Sequence, residues 1–72
     1  MKFRKERDFV KAVCDENQFE VIISRIEILD ISYDSKSKEI KAVQFQDRFN
    51  QCFEASRLRS GKSKLVKIIK TY

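Results

Sequence analysis

Seventy-two residues with a net charge of +5 set the first limits on this chain. That length is one domain at most, so we expect a single small domain over residues 1–72, and such a chain buries only about 60% of the surface that its unfolded form exposes. A hydrophobic fraction of 42%, with six Phe and two Tyr, argues against wholesale disorder.

The residue types also exclude most catalytic chemistry. The chain has no His, and no spaced pair of carboxylates lies in an apolar context that would raise a pKa. We therefore expect no enzyme, no catalytic residues and no cofactor. Two Cys without His cannot make the usual four-ligand zinc site, so no metal is expected, and Cys14 and Cys52 are expected to be free thiols.

The distribution of apolar residues predicts neither a membrane helix nor a signal peptide. The longest apolar run is Val21-Ile22-Ile23, far short of the ~20 residues that a membrane helix needs. The first 30 residues contain no run that is typical of a signal peptide. The sequence therefore predicts an intracellular, cytoplasmic protein with no membrane partner.

The first element of the chain fits two structures. Residues 7–14, "RDFVKAVC", can form a strand that leads through "DENQ" into the next one. Residues 3–14 are also rich in good helix formers, with Phe3, Val10, Val13 and Cys14 roughly on one side. The sequence leaves both possibilities open.

The clearest element is "FEVIISRIEILDISY", residues 19–33, which is dense in the β-branched residues that favour strands. Its apolar alternation changes phase twice, once before Ile26 and once at Leu29, which indicates a bend or a bulge. The polar loop "DSKSK" and a strand over residues 38–46 follow. Strand, short polar loop and strand predict a β-hairpin.

The segment "QFQDRFNQCFEASRLR", residues 44–59, again has two interpretations. As a helix it places Phe49, Cys52 and Phe53 on one face but leaves Leu58 pointing away. As a turn followed by a strand over residues 49–54, it gives Asp47 and Asn50 turn roles. We prefer the turn.

The last segment, "KLVKIIKTY", is open as well. Leu65, Ile68, Ile69 and Tyr72 form a helical stripe, whereas the β-branched residues favour a strand over residues 64–71.

Residues 9–58 resemble Tudor-type modules, which are small SH3-like barrels. Phe45, Asp47, Asn50 and Leu58 fall where those modules carry an F-x-D-Y-G-N turn and a barrel-closing leucine, and Arg48-Phe49 stands in place of Y-G. The chain has no Trp for an aromatic cage, so the resemblance implies the barrel and not the ligand.

This resemblance implies a mainly β fold, a small SH3-like barrel of about five strands. The strands would cover residues 8–14, 19–33, 38–46, 49–54 and 64–71, with a 3₁₀ turn at "EASRL". The alternative is an α+β fold with helices near residues 3–14 and 47–59 around a central β-hairpin.

Charge is distributed unevenly along the chain. Residues 1–11 carry a net charge of +3, residues 12–54 carry −4, and residues 55–72 carry +6 with no acid. In a barrel the last strand pairs with the first, which brings the two basic ends into one face. Such a face neutralises phosphates, so we expect nucleic-acid binding.

The predicted nucleic-acid-binding residues are Lys2, Arg4, Arg57, Arg59, Lys62, Lys64, Lys67 and Lys70. Tyr33, Phe49 and Tyr72 are aromatic contact candidates that can stack on bases. Each lysine also fits a simpler role, protecting a strand edge from aggregation. The alternative function is a protein–protein interaction module, an adaptor or inhibitor of the kind found in phages and mobile elements.

Overall fold

The computed structural model describes residues 5–58 and 60–68. These residues form one helix, a short 3₁₀ turn at Ile23–Arg25, and a single antiparallel sheet in the order β1-β2-β3-β4. The elements are α1 (Glu6–Glu16), β1 (Glu27–Tyr33), β2 (Ile40–Gln46), β3 (Cys52–Arg57) and β4 (Ser63–Ile68). The mainly β expectation is therefore confirmed, as an open sheet with one helix.

The five-strand barrel is wrong for the part of the chain that the structure describes. Residues 8–14 lie in α1, and of residues 19–33 only Glu27–Tyr33 is a strand. The predicted fifth strand is β4, which pairs with β3; its residues 69–71 lie outside the described residues. The α+β alternative anticipated the first helix, but its second helix over residues 47–59 is wrong.

The first segment is helical because its apolar residues share a helical face. Phe9, Val10, Val13 and Cys14 are all fully buried. A strand would send Phe9 and Val13 to one side and Val10 and Cys14 to the other, whereas a helix turns all of them toward the sheet. The segment is therefore a helix and not a strand, because only a helix buries all four apolar side chains against the sheet.

The helix ends in a Schellman motif. The Phe19 N–H donates to the Cys14 carbonyl at 2.9 Å, and the Gln18 N–H donates to the Asp15 carbonyl at 3.2 Å. Gln18 adopts the left-handed conformation (φ 58°) that this motif usually gives to glycine. The reversal sends Phe19 back toward the sheet, where its ring packs 5.0 Å from that of Phe53.

The second phase change in the apolar pattern corresponds to a β-bulge in β1. Ile28 pairs with Phe45 and Asp30 with Gln44, so Leu29 has no partner on β2 and is 43% exposed. The bulge restores Ile31 to the side of the sheet that carries Ile28. The predicted bend is thus present, although the strand is shorter than expected.

The β2–β3 connection is a turn, as preferred from the sequence. The Asn50 N–H donates to the Asp47 carbonyl at 3.1 Å, and Asp47 Oδ1 accepts the N–H groups of Phe49 and Gln51, each at 2.9 Å. Asn50 takes the left-handed conformation (φ 62°), which Asn tolerates well. No glycine is needed at Phe49, because the positive φ falls one residue later.

Strand β3 lies further along the chain than the predicted strand over residues 49–54. It begins at Cys52 and continues to Arg57, so residues 49–51 belong to the turn, and the 3₁₀ turn expected at residues 54–58 is wrong. Phe53 and Ala55 alternate into the core at 5% and 0% exposure. Burial of Ala55 therefore extends the strand through the segment in which a turn was expected.

The sheet has a helix face and an open face. On the helix face α1 packs against β2, β3 and β4, and the Phe45 and Phe53 rings stack 5.6 Å apart beneath it. Strand alternation sends the next side chains to the open face. There the acidic Glu27, Asp30 and Glu54 lie among small and polar residues and beside the apolar Val66 and Ile68 of β4.

Replacing Gln18 by Gly is expected to raise the free energy of unfolding by about 1 kcal/mol, because it removes the left-handed strain. Urea denaturation measures the change. The matched control is Gln51→Gly, an exposed glutamine where glycine only adds unfolded-state entropy and costs about 0.5–1 kcal/mol. Equal effects of the two substitutions would contradict the assignment.

Candidate nucleic-acid interface

The topology brings two turns to one end of the sheet. In an antiparallel meander the β1–β2 and β3–β4 turns share an end, and the β2–β3 turn lies at the other. A cleft of about 540 Å³ separates the paired turns. Its lining is Asp34, Ser37, Glu39, Ile40, Lys41, Arg57, Leu58 and Gly61. We call this region, residues 33–41 with Leu58 and residues 60–64, the two-turn end.

The β1–β2 turn is organised by Asp34. Its N–H donates to the Glu39 carbonyl at 2.8 Å, and its carbonyl accepts the Lys38 N–H at 2.9 Å. Its Oδ1 accepts the N–H groups of Lys36 (2.8 Å) and Ser37 (3.2 Å). These bonds use the backbone N–H groups of Lys36 and Lys38, and the side chains of both lysines are exposed.

The β3–β4 turn has the same hydrogen-bond pattern as the β2–β3 turn. The Gly61 N–H donates to the Leu58 carbonyl at 2.9 Å, and the Leu58 N–H donates to the Lys62 carbonyl at 2.7 Å. Gly61 takes a positive φ of 91°, as Asn50 does in the other turn. The Leu58 and Lys62 side chains are both exposed in this turn, and Leu58 lines the cleft.

Charge at the two-turn end is positive on the outside. Its two carboxylates, Asp34 and Glu39, are half-buried. Its five lysines are all exposed: Lys36, Lys38, Lys41, Lys62 and Lys64. An approaching ligand therefore meets ammonium groups first.

Arg57, one of the predicted nucleic-acid-binding residues, ties the helix to this end. Its Nη2 donates to Glu16 Oε1 and its Nη1 to the Gly61 carbonyl, each at 2.9 Å. The Arg57 side chain is only 26% exposed. A second tie runs from Asn17 Nδ2 to Ser63 Oγ at 3.1 Å. Arg57 therefore positions the helix C-terminus against the β3–β4 turn.

The same contacts affect Glu16. Hydrogen bonds from Ser63 and Arg57 lower the pKa of the Glu16 carboxyl below its ordinary value of 4.5. The helix end is therefore held by a carboxylate that stays ionised under mildly acidic conditions.

The other predicted basic residues do not share one surface. By register Lys64 lies beside Ser56 on the open face, and Lys67 lies beside Phe53 on the helix face. Lys67 is also about 17 Å along the hairpin from Lys62 at ~3.3 Å per residue. Lys2, Arg4, Arg59 and Lys70 lie outside the described residues, so their assignment stays a prediction.

The aromatic candidates lie at opposite ends of the sheet. Tyr33 is 55% exposed at the two-turn end, directly opposite Ile40. Phe49 is 66% exposed in the β2–β3 turn, with the Arg48 guanidinium 4.7 Å from its ring centroid. Tyr72 lies outside the described residues.

Sequence reasoning missed three lysines, two in the β1–β2 turn and one at the start of β2: Lys36, Lys38 and Lys41. They fall in residues 12–54, whose net charge of −4 concealed them. A shorter window would have found "SKSKEIK", which has three lysines and one acid. The sheet topology then brings this segment close to Lys62.

The cysteines are separate from this end. Cys14 belongs to the buried face of α1, and this burial raises the pKa of its thiol to about 11. Cys52 lies on the open face by register, and both are free thiols.

Within residues 5–58 and 60–68 there is no metal-binding cluster of His, Cys, Asp or Glu. No helix in those ranges is long and apolar enough to cross a membrane.

Comparison with protein-family models, curated proteins and solved structures gives no match. The resemblance to Tudor-type modules therefore stays a prediction.

Glu16→Gln is expected to flatten the loss of stability in acid. Because the folded-state pKa of Glu16 is lowered, its contacts stabilise the fold above the unfolded-state pKa, and the stability is lost as pH falls through the folded-state pKa. Thermal unfolding between about pH 5 and pH 3 measures the slope. Glu20→Gln, which removes an exposed carboxylate, is the control. A wild-type slope in Glu16→Gln would contradict the role of this contact.

Proposed function

We propose that this protein is a small non-catalytic binding domain that holds nucleic acid at the two-turn end. The observation that carries the proposal is the segregation of charge there. The lysines of the two turns are exposed, and the cleft between the turns is lined by two half-buried carboxylates, Asp34 and Glu39, that Lys41 and Arg57 balance in charge. Phosphate oxygens can reach the lysines without first meeting a carboxylate.

The spacing of the turns favours joint action of these lysines. Strands β1 and β3 are two spacings apart, or about 10 Å, so a phosphate midway between the two turns lies about 5 Å from each, within the Debye length of ~8 Å at physiological salt. The fields of the two turns therefore reinforce each other. The open face carries the carboxylates of Glu27, Asp30 and Glu54. They repel a polyanion and so direct it toward the two-turn end.

The chemistry of lysine sets the kind of binding. An ammonium on a flexible stem acts as a point charge and does not impose the planar, two-bond geometry of arginine. Contacts of this kind neutralise phosphates and release counterions without reading sequence. We therefore propose salt-dependent, sequence-tolerant binding. Of the predicted nucleic-acid-binding residues, we propose that Lys62 and Lys64 contact phosphates. Arg57 instead stabilises the fold through its hydrogen bonds to Glu16 and Gly61.

Removing a turn lysine is expected to lower the salt dependence of binding. For Lys62→Gln, the slope of log affinity against log salt falls by about 0.7–0.9, the value for one lost phosphate contact. Fluorescence anisotropy with a labelled oligonucleotide measures the slope. The double variant Lys36→Gln/Lys38→Gln is expected to lose about twice as much.

Lys67→Gln is the matched control, because it removes an exposed lysine from the same hairpin at the other end of the sheet. Its slope is expected to equal that of the wild type. Equal losses for Lys62→Gln and Lys67→Gln would show that net charge alone drives binding, and the site would be wrong.

A second candidate function is protein binding at the β2–β3 end. A cleft of about 420 Å³ there contains Ile22 and Phe49, which are 46% and 66% exposed. Exposed apolar side chains around a concave surface favour an apolar anchor from a protein partner. Such a partner would leave the two-turn end free, so the ligand's position distinguishes the two functions.

A further inference from the structure

We infer that the cleft at the two-turn end receives an unpaired base, so that the protein prefers single-stranded nucleic acid to duplex. This inference rests on the proposed function and adds the class of nucleic acid. It starts from the apolar side chains that lie among the lysines, which phosphate binding alone does not use.

Two apolar side chains line the cleft, Leu58 and Ile40, of which Ile40 is only 7% exposed. Tyr33 pairs directly with Ile40 across the strands, so it lies at the same end of the sheet, on the edge strand next to β2. Tyr33 and Leu58 are each 55% exposed, so both present apolar surface to a ligand.

Charge separates the cleft from its rim. The cleft is lined by two carboxylates, Asp34 and Glu39, and by two basic side chains, Lys41 and Arg57, so its charges balance. Lys36, Lys38 and Lys62 are exposed on the turns themselves, and this excess of positive charge attracts a phosphate to the turns rather than into the cleft. A nucleotide is therefore oriented with its phosphate outside and its base inside.

Only an unpaired base can use this arrangement. Bases in a duplex are stacked on their neighbours and paired, so Tyr33 and Leu58 would stay in contact with water. A base of a single strand can be splayed out and packed against aromatic and apolar side chains. Such contacts add affinity with little dependence on base identity, because every base has a flat apolar face.

The test compares a labelled oligothymidylate with a labelled duplex by fluorescence anisotropy at low and physiological salt. We expect the wild type to bind the single strand more tightly. Tyr33→Ala and Leu58→Ser are each expected to weaken single-strand binding by about tenfold. Duplex affinity and the salt slope are expected to stay unchanged, because the lysines remain.

Phe49→Ala is the matched control, since it removes an exposed aromatic ring from the opposite end. Tyr33→Phe retains a ring and is expected to keep single-strand affinity. Tyr33 and Leu58 lie outside the buried core cluster, and circular dichroism confirms that the variants are folded.

Two results would overturn these conclusions, and they are distinguishable. If the Tyr33 and Leu58 variants bind both ligands as the wild type does, or lose affinity for both equally, the base site is wrong while phosphate binding stands. If the wild type binds neither ligand with salt-dependent affinity, the proposed function itself is wrong.

Discussion

The fold depends on the contact between one face of α1 and one face of the sheet. Phe9, Val10, Val13 and Cys14 are fully buried there, against a sheet centre formed by Phe45 and Phe53. Burial of a large apolar side chain contributes about 1.5–3 kcal/mol. An open four-stranded sheet needs such a cover, because both of its faces would otherwise meet water.

That contact also limits where the proposed ligand can bind. The helix covers one sheet face, and on the open face the carboxylates of Glu27, Asp30 and Glu54 outnumber Lys64, so we propose the sheet ends as the surfaces for a polyanion. At the two-turn end, hydrogen bonds from Asp34 and the glycine conformation at Gly61 fix the backbone. The hydrogen bonds that fix these turns therefore do not use the lysine side chains, which are exposed. The Arg57 side chain, in contrast, does contribute to the fold, because it donates a hydrogen bond to Glu16 at the end of α1.

Features that depend on neighbouring residues could be predicted from the sequence. The β1–β2 hairpin and the turn at Asp47 follow from polar residues that make their own local hydrogen bonds. The structure of residues 8–14 could not be decided, since Phe9 and Val13 suit a strand or a helix until the sheet provides a surface. The basic end was missed for a similar reason. Lys38 and Lys62 are far apart in sequence, and only the strand order brings their turns together.

The most direct test of the central claim is to map a bound oligonucleotide on the folded protein by amide chemical shifts. Titration of ¹⁵N-labelled protein with a short oligothymidylate is expected to shift residues 33–41, Leu58 and residues 60–64. Residues 20–22 and 47–51 at the opposite end are expected to stay unchanged. Shifts centred on Phe49 and Ile22, or spread evenly over the surface, would contradict a nucleic-acid site at the two-turn end.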